Sequence, residues 1–175
     1  MKVLLLNGSP RKNGCTYTAL NVVADALKAE GIDAEVFQAG DPDMENVKAA
    51  AAKLKDSDAL VVGSPVYWAS PSGQIIEFMD RLASVAGKDM LYKPAAAVAS
   101  ARRAGTTATL DVLTKYFSYH QMPVVSSCYW NMVHGNTPEE VMKDEEGVQI
   151  MRVLGKNMAW LLKCIEAGKK NGVAV

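Results

Sequence analysis

The chain has 175 residues, 49% hydrophobic and 22% charged, with nineteen Lys and Arg balanced by nineteen Asp and Glu. That length supports one well-buried core and is short for two, so residues 1–175 read as a single domain. Zero net charge tells against a nucleic-acid surface driven by counterion release, and no apolar run approaches the roughly 20 residues of a membrane helix, so neither nucleic acid nor membrane is expected as a partner.

In chain order, five short apolar runs alternate with helical stretches, the pattern of a parallel sheet with helices on both faces. The first strand is Lys2–Asn7, whose Val3-Leu4-Leu5-Leu6 centre is continuously apolar, as a strand buried on both faces should be. A helix is predicted over 17–30, closing at Gly31, then a strand over Asp33–Gln38 and a helix over 46–55. A third strand, 59–64, precedes a helix over 72–85 with Ser72 as N-cap. A fourth strand, 95–100, a helix over 107–120, a fifth strand over 123–127 and a last helix over 149–167 complete the series. Residues 130–146 are the least regular part, with a helix-start signal at Thr137-Pro138-Glu139 and a charged run, Lys143-Asp144-Glu145-Glu146, that reads as a solvated face.

The first strand runs into Gly8-Ser9-Pro10-Arg11-Lys12-Asn13-Gly14-Cys15-Thr16. Free N–H groups at a helix start, the macrodipole behind them, the hydroxyls of Ser9 and Thr16 and the Arg11 guanidinium favour a dianion at one point. The simpler alternative is an ordinary strand-to-helix turn with an N-cap. Neither Gly-x-x-x-x-Gly-Lys-Ser/Thr nor Gly-x-Gly-x-x-Gly follows this strand, which tells against a nucleoside triphosphate or the common dinucleotide fingerprint.

After the third strand, Pro65-Val66-Tyr67-Trp68 puts two large aromatics into a loop; they either meet a flat ligand or cover the core and a subunit contact. After the fourth, Ser100-Ala101-Arg102-Arg103-Ala104-Gly105-Thr106-Thr107 sets two arginines before a helix, either solvated or facing the same crevice. The exit from the fifth strand, through Cys128, Tyr129, Trp130 and Asn131, is again aromatic.

Three segments together resemble the NAD(P)H-dependent FMN reductase family, over nearly the whole chain. They are Gly8-Ser9-Pro10-Arg11-Lys12-Asn13-Gly14-x-Thr16, then Gly63-Ser64-Pro65-Val66-Tyr67-Trp68 with Ser72-Gly73 and Phe78-x-Asp80-Arg81, and the Arg102-Arg103 loop. The last departs from the family's Arg-Arg-Gly-Gly-Gln-Glu pattern at Ala104, Thr106 and Thr107, where donor contacts would lie. The resemblance implies an α/β flavodoxin-like three-layer sandwich with a five-stranded parallel sheet in the order 2-1-3-4-5. It implies FMN as cofactor and NAD(P)H as co-substrate, with electrons passing to a quinone, a nitro or azo compound or free flavin. Ser9, Arg11, Asn13, Cys15 and Thr16 would hold the phosphate. Pro65, Val66, Tyr67 and Trp68 would line the ring and ribityl chain, and Arg102, Arg103, Gly105 and Thr106 would face the pyrimidine edge. No side chain is expected to be catalytic, since flavin N5 carries the hydride. A homodimer or homotetramer is implied, with Trp130 packed in the core or an interface, or near a partner's flavin. A flavodoxin-type electron carrier and a flavin-fold binding protein with little reductase activity are the alternatives.

Cys15, Cys128 and Cys164 are dispersed, so no metal and no iron-sulfur cluster are expected. Reduced thiols and an N-terminus without a leader pattern point to the cytoplasm. Cys15 sits where the helix start and Arg11 would lower its pKa. His120 reads as a helix cap and His134 as isolated in the irregular segment, neither having an acidic partner at ligand or dyad spacing.

Overall fold

The computed structural model describes residues 1–173. The first strand, β1 (Lys2–Asn7), pairs in parallel with β2 (Asp33–Gln38) on one side and β3 (Ala59–Tyr67) on the other. Beyond β3 lie β5 (Ala95–Ala101) and β6 (Met132–His134), again parallel, so the order is β2-β1-β3-β5-β6. A two-residue arm, β4 (Ser70–Pro71), folds back antiparallel on the end of β3. With that arm set aside, the five parallel strands run in the expected order.

The apolar run of β1 explains the layering. Successive strand side chains alternate, so Val3 and Leu5 face one helical layer while Leu4 and Leu6 face the other. The first layer is α1 (Cys15–Ala29) with α5 (Pro138–Lys143) and α6 (Glu145–Lys170), through Leu20, Val23, Leu27, Met151, Leu154 and Met158. The second is α2 (Met44–Lys55), α3 (Gly73–Met90) and α4 (Thr106–Tyr119), through Leu54, Phe78, Met79, Leu82, Leu113 and Phe117. Truncating a fully buried Leu4, Leu60 or Leu113 to Ala would cost about 2–5 kcal/mol. Helix α3 continues past the expected end at residue 85 to Met90, across a non-helical break at Ala86.

The fifth parallel strand is the main correction. Residues 123–127, read as that strand, make a single bridge: Val124 lies against Ala95, with Ala95 N–H donating to Pro123 O (2.8 Å) and Val125 N–H to Ala95 O (2.8 Å). The chain then leaves the sheet, tied to α6 by Ser127 Oγ donating to Ile150 O (2.6 Å) and Asn157 Nδ2 to Ser126 O (2.8 Å). It rejoins at β6. In the gap, the Asn131 side chain donates to Ala97 O at 3.0 Å, replacing a strand partner. Asn131 is buried in that role, and Trp130 is exposed. No helix among the described residues is long and apolar enough to cross a membrane.

Candidate flavin site

Parallel strands put the loops after β1, β3, β5 and β6 on one edge, and these loops enclose a cleft of about 240 Å³. Of the residues expected there, Ser9, Arg11, Cys15, Thr16, Pro65, Val66, Tyr67 and Arg102 line it. Ser100, Ala101, Gly135 and Asn136 line it too, though the sequence reading did not assign them. Gly135 and Asn136 follow β6, so misplacing the fifth strand hid that they lie on the carboxyl edge.

The helix starts set the electrostatics. Helices α2, α3, α5 and α6 are capped by Asp43, Ser72, Thr137 and Asp144, each accepting a backbone N–H of the first turn. Helices α1 and α4 begin at Gly14 and Gly105, with no side-chain cap and no acid in the first turn. The start of α1 lies in the cleft and that of α4 beside it. Two positive dipole ends are thus left to an outside anion, with the Arg11 and Arg102 guanidinium groups close by.

The walls are held from behind. Ser72 Oγ donates to Gly8 O at 2.8 Å, and Ser64 Oγ accepts the Ser72 N–H at 3.0 Å, fixing the first loop to the start of α3. The hydroxyls of Thr16 and Ser100 meet at 2.7 Å in the buried floor, joining the first loop to the end of β5. Above them, β3 and β4 form a hairpin whose two turn residues, Trp68 and Ala69, have φ of 53° and 58°. Two left-handed non-glycine residues in succession cost roughly 1–3 kcal/mol each and persist only where neighbours impose them. Gly105 is such a neighbour: its φ is 98°, and a Cβ there would stand 2.7 Å from Ala69 Cα.

The remaining expected residues stand off the cleft wall. Trp68 is fully exposed at the hairpin tip, and Asn13 and Arg103 are exposed on the surrounding loops. The Arg103 carbonyl accepts from His134 Nε2 at 3.1 Å, which ties this loop to β6. Thr106 is buried and its hydroxyl donates to Met132 Sδ at 3.2 Å, inside the core. Gly105 serves the close approach described above.

Two expectations change. Burial pushes the Cys15 thiol pKa up, outweighing its backbone hydrogen bond and Arg11, so the group stays protonated at neutral pH; its Sγ lies 3.6 Å from Gly135 O. His134 has an acidic partner after all, since its N–H donates to Asp144 Oδ2 at 2.7 Å and the ring Nδ1 lies 3.9 Å from the same oxygen. That contact bridges ten residues, out of reach of a spacing argument. Two larger hollows, about 670 Å³ between α3 and α4 and about 390 Å³ beside the broken edge strand, contain neither an uncapped helix start nor the 8–16 loop. His120, beside the first of these, caps α4 through Nδ1 donating to Tyr116 O at 2.7 Å.

Comparison with known proteins matches the geometry. An iron-sulfur flavoprotein of Methanocaldococcus jannaschii is 29% identical over 95% of this chain and 100% of its own length. An NADPH azoreductase of Bacillus sp. is 30% identical over 58% of this chain and 59% of its own. Among solved structures, an archaeal flavodoxin superposes with a TM-score of 0.71 at 18% identity, covering 93% of this chain and 99% of that one. The NAD(P)H:(acceptor) oxidoreductase FerB of Paracoccus denitrificans gives 0.74 at 16%, covering 93% and 97%. An iron-sulfur group does not fit the residues present here: the three cysteines stand on α1, before β6 and on α6, and no group of three potential ligands occurs among the described residues. Residues 1–137 match the NADPH-dependent FMN reductase family, and the chain belongs to it, a flavin-dependent oxidoreductase of flavodoxin-like fold that binds FMN.

Proposed function

We propose that the chain draws a hydride from NADPH or NADH onto FMN held in this cleft and passes the electrons to a quinone, a nitro or azo compound or free flavin. The observation that carries the reading is the uncapped start of α1, which opens into the cleft beside Arg11, with Arg102 on the facing loop three residues before the second uncapped start, that of α4. FMN, when bound, supplies the hydride chemistry, and the protein supplies position and electrostatics. The start of α1, Ser9 and Arg11 receive the phosphate. Pro65, Val66 and Tyr67 form the ring wall. The start of α4 and Arg102 favour negative charge at the pyrimidine edge, which makes reduction easier. The Cys15 thiol stays protonated, so no side-chain base is assigned.

The test is anaerobic mixing of the FMN-loaded protein with NADPH and with NADH, followed by visible absorption. Rapid bleaching by either supports the reading, and the faster donor is the preferred one. Bound flavin that stays oxidised with both would remove the reductase activity. The same reading takes the protein to be a cytoplasmic homodimer or homotetramer, and the exposed Trp68, Tyr119 and Trp160 support self-association. Sedimentation equilibrium decides that point, a monomer across the accessible concentrations counting against it.

A further inference from the structure

We infer that Asn7 and Gln38 are positioning residues for the cofactor phosphate, a carboxamide pair that holds the 8–13 loop in its anion-receiving shape. The inference rests on reading that loop as the phosphate holder. Neither residue lines the cleft; both act through Ser9, Arg11 and Lys12.

Asn7 and Gln38 are paired across the ends of β1 and β2, so their side chains meet. Asn7 is fully buried, and its Nδ2 donates to Gln38 Oε1 at 2.7 Å and to the carbonyls of Lys12 (3.2 Å) and Arg11 (3.4 Å). Its Oδ1 accepts the Ser9 N–H at 3.2 Å. Gln38 Nε2 donates to Ser9 O at 2.6 Å, and the Gln38 carbonyl accepts from Asn46 Nδ2 at 3.0 Å. The approach is possible because residue 40 is glycine: a Cβ there would stand 2.1 Å from Ser9 O and 2.7 Å from Gln38 Nε2.

The consequence is a matter of peptide orientation. Three loop carbonyls, of Ser9, Arg11 and Lys12, are turned toward the two carboxamides at the sheet end. A carbonyl facing the bound anion would repel it. In a trans peptide the N–H points opposite to the carbonyl, so the same bonds turn the N–H groups of Lys12 and Asn13 away from the carboxamides. Loop N–H groups turned outward in this way form the concave nests that bind anions. Asn13 then contributes through its backbone, which accounts for its exposed side chain.

The experiment titrates the flavin-free full chain with FMN and with riboflavin, which lacks only the phosphate, and records a thermal melt of each variant. Wild type binds FMN more tightly. Gln38→Met keeps the side-chain length and removes both polar contacts; FMN affinity falls about tenfold while riboflavin affinity stays within about threefold. Asn7→Asp sets a carboxylate oxygen against the carbonyls of Arg11 and Lys12 and widens the selective loss to about a hundredfold. Parallel loss of both ligands in Gln38→Met, or no loss of either, overturns the proposal and leaves the pair a plain closure of strand ends. Arg11→Ala separates the two levels. If it loses FMN selectively while Gln38→Met does not, the positioning role alone fails. If wild type binds FMN and riboflavin equally, the phosphate reading fails and the proposal falls with it.

Discussion

The six helices among the described residues divide into two kinds at their N-termini. Four begin with Asp, Ser or Thr accepting a first-turn N–H, and three of those carry a glutamate in the first turn as well. Two begin with glycine and carry no acid; α1 opens into the cleft formed by the loops after β1, β3, β5 and β6, and α4 begins three residues after Arg102, which lines that cleft. Glycine in place of a capping Asp, Ser or Thr costs roughly a few tenths of a kcal/mol of helix stability. That the omission falls on the helix opening into the cleft and on the one beside it fits N–H groups left free for a ligand, since local rules are relaxed at functional sites.

The strongest way to break this contrast is to give α1 the cap it lacks. The backbone at Gly14 is extended (φ −91°, ψ −169°), so a side chain is admissible there once Arg11, whose Cβ would stand 3.2 Å from the new Cβ, gives by a few tenths of an ångström. Gly14→Asp should raise the melting temperature of the flavin-free chain slightly, by roughly a few tenths of a kcal/mol of stability, and weaken FMN binding at least about a hundredfold by placing a carboxylate at the proposed phosphate position. FMN affinity that survives the change would mean the phosphate lies elsewhere.

Arg11→Ala comes next. Loss of a charged hydrogen-bond donor should weaken FMN by about ten- to a hundredfold, with unchanged riboflavin affinity in the same titration. For α4, Gly105→Ala forces a Cβ at φ 98° and to within 2.7 Å of Ala69 Cα, and should cost about 1–3 kcal/mol of stability, read as a lowered urea midpoint. An unchanged midpoint would show that the hairpin is not held by this contact.

Smaller effects sharpen the comparison. An open helix start ordinarily favours a thiolate, yet burial raises the Cys15 pKa. The thiol form therefore prevails through neutral pH, and alkylation of Cys15 should lag behind that of the exposed Cys128 and Cys164 and accelerate only in the alkaline range. Fast labelling of Cys15 at neutral pH would contradict this. At the other extreme, Asp43→Ala removes the cap of α2 and should cost about 0.5–1 kcal/mol with no change in FMN affinity. A flavin effect there would erase the distinction between the two kinds of helix start.

Much of this was legible from local sequence. The bounds of β1 and β2 follow from apolar runs and their turn residues, and the 8–16 loop is a contiguous motif whose chemistry can be read without a fold. Ser72 announces itself as an N-cap by position. What escaped depends on distant contacts. The run at 123–127 carries two β-branched valines, but Asn131 takes over Ala97 O and the paired strand resumes only at Met132. Thr106 sits in the expected loop, yet the packing of Met132 draws its hydroxyl inward. Asn7 and Gln38 read as ordinary strand ends, because nothing in either segment shows that the register sets one opposite the other.

The most direct test of the central claim is a crystal structure of the protein with FMN. The expected complex has the phosphate within hydrogen-bond distance of the N–H groups opening α1 and of Arg11, with the ring against Pro65, Val66 and Tyr67. A flavin seated instead in the hollow between α3 and α4, or a phosphate pointing into solvent away from the 8–16 loop, would contradict it.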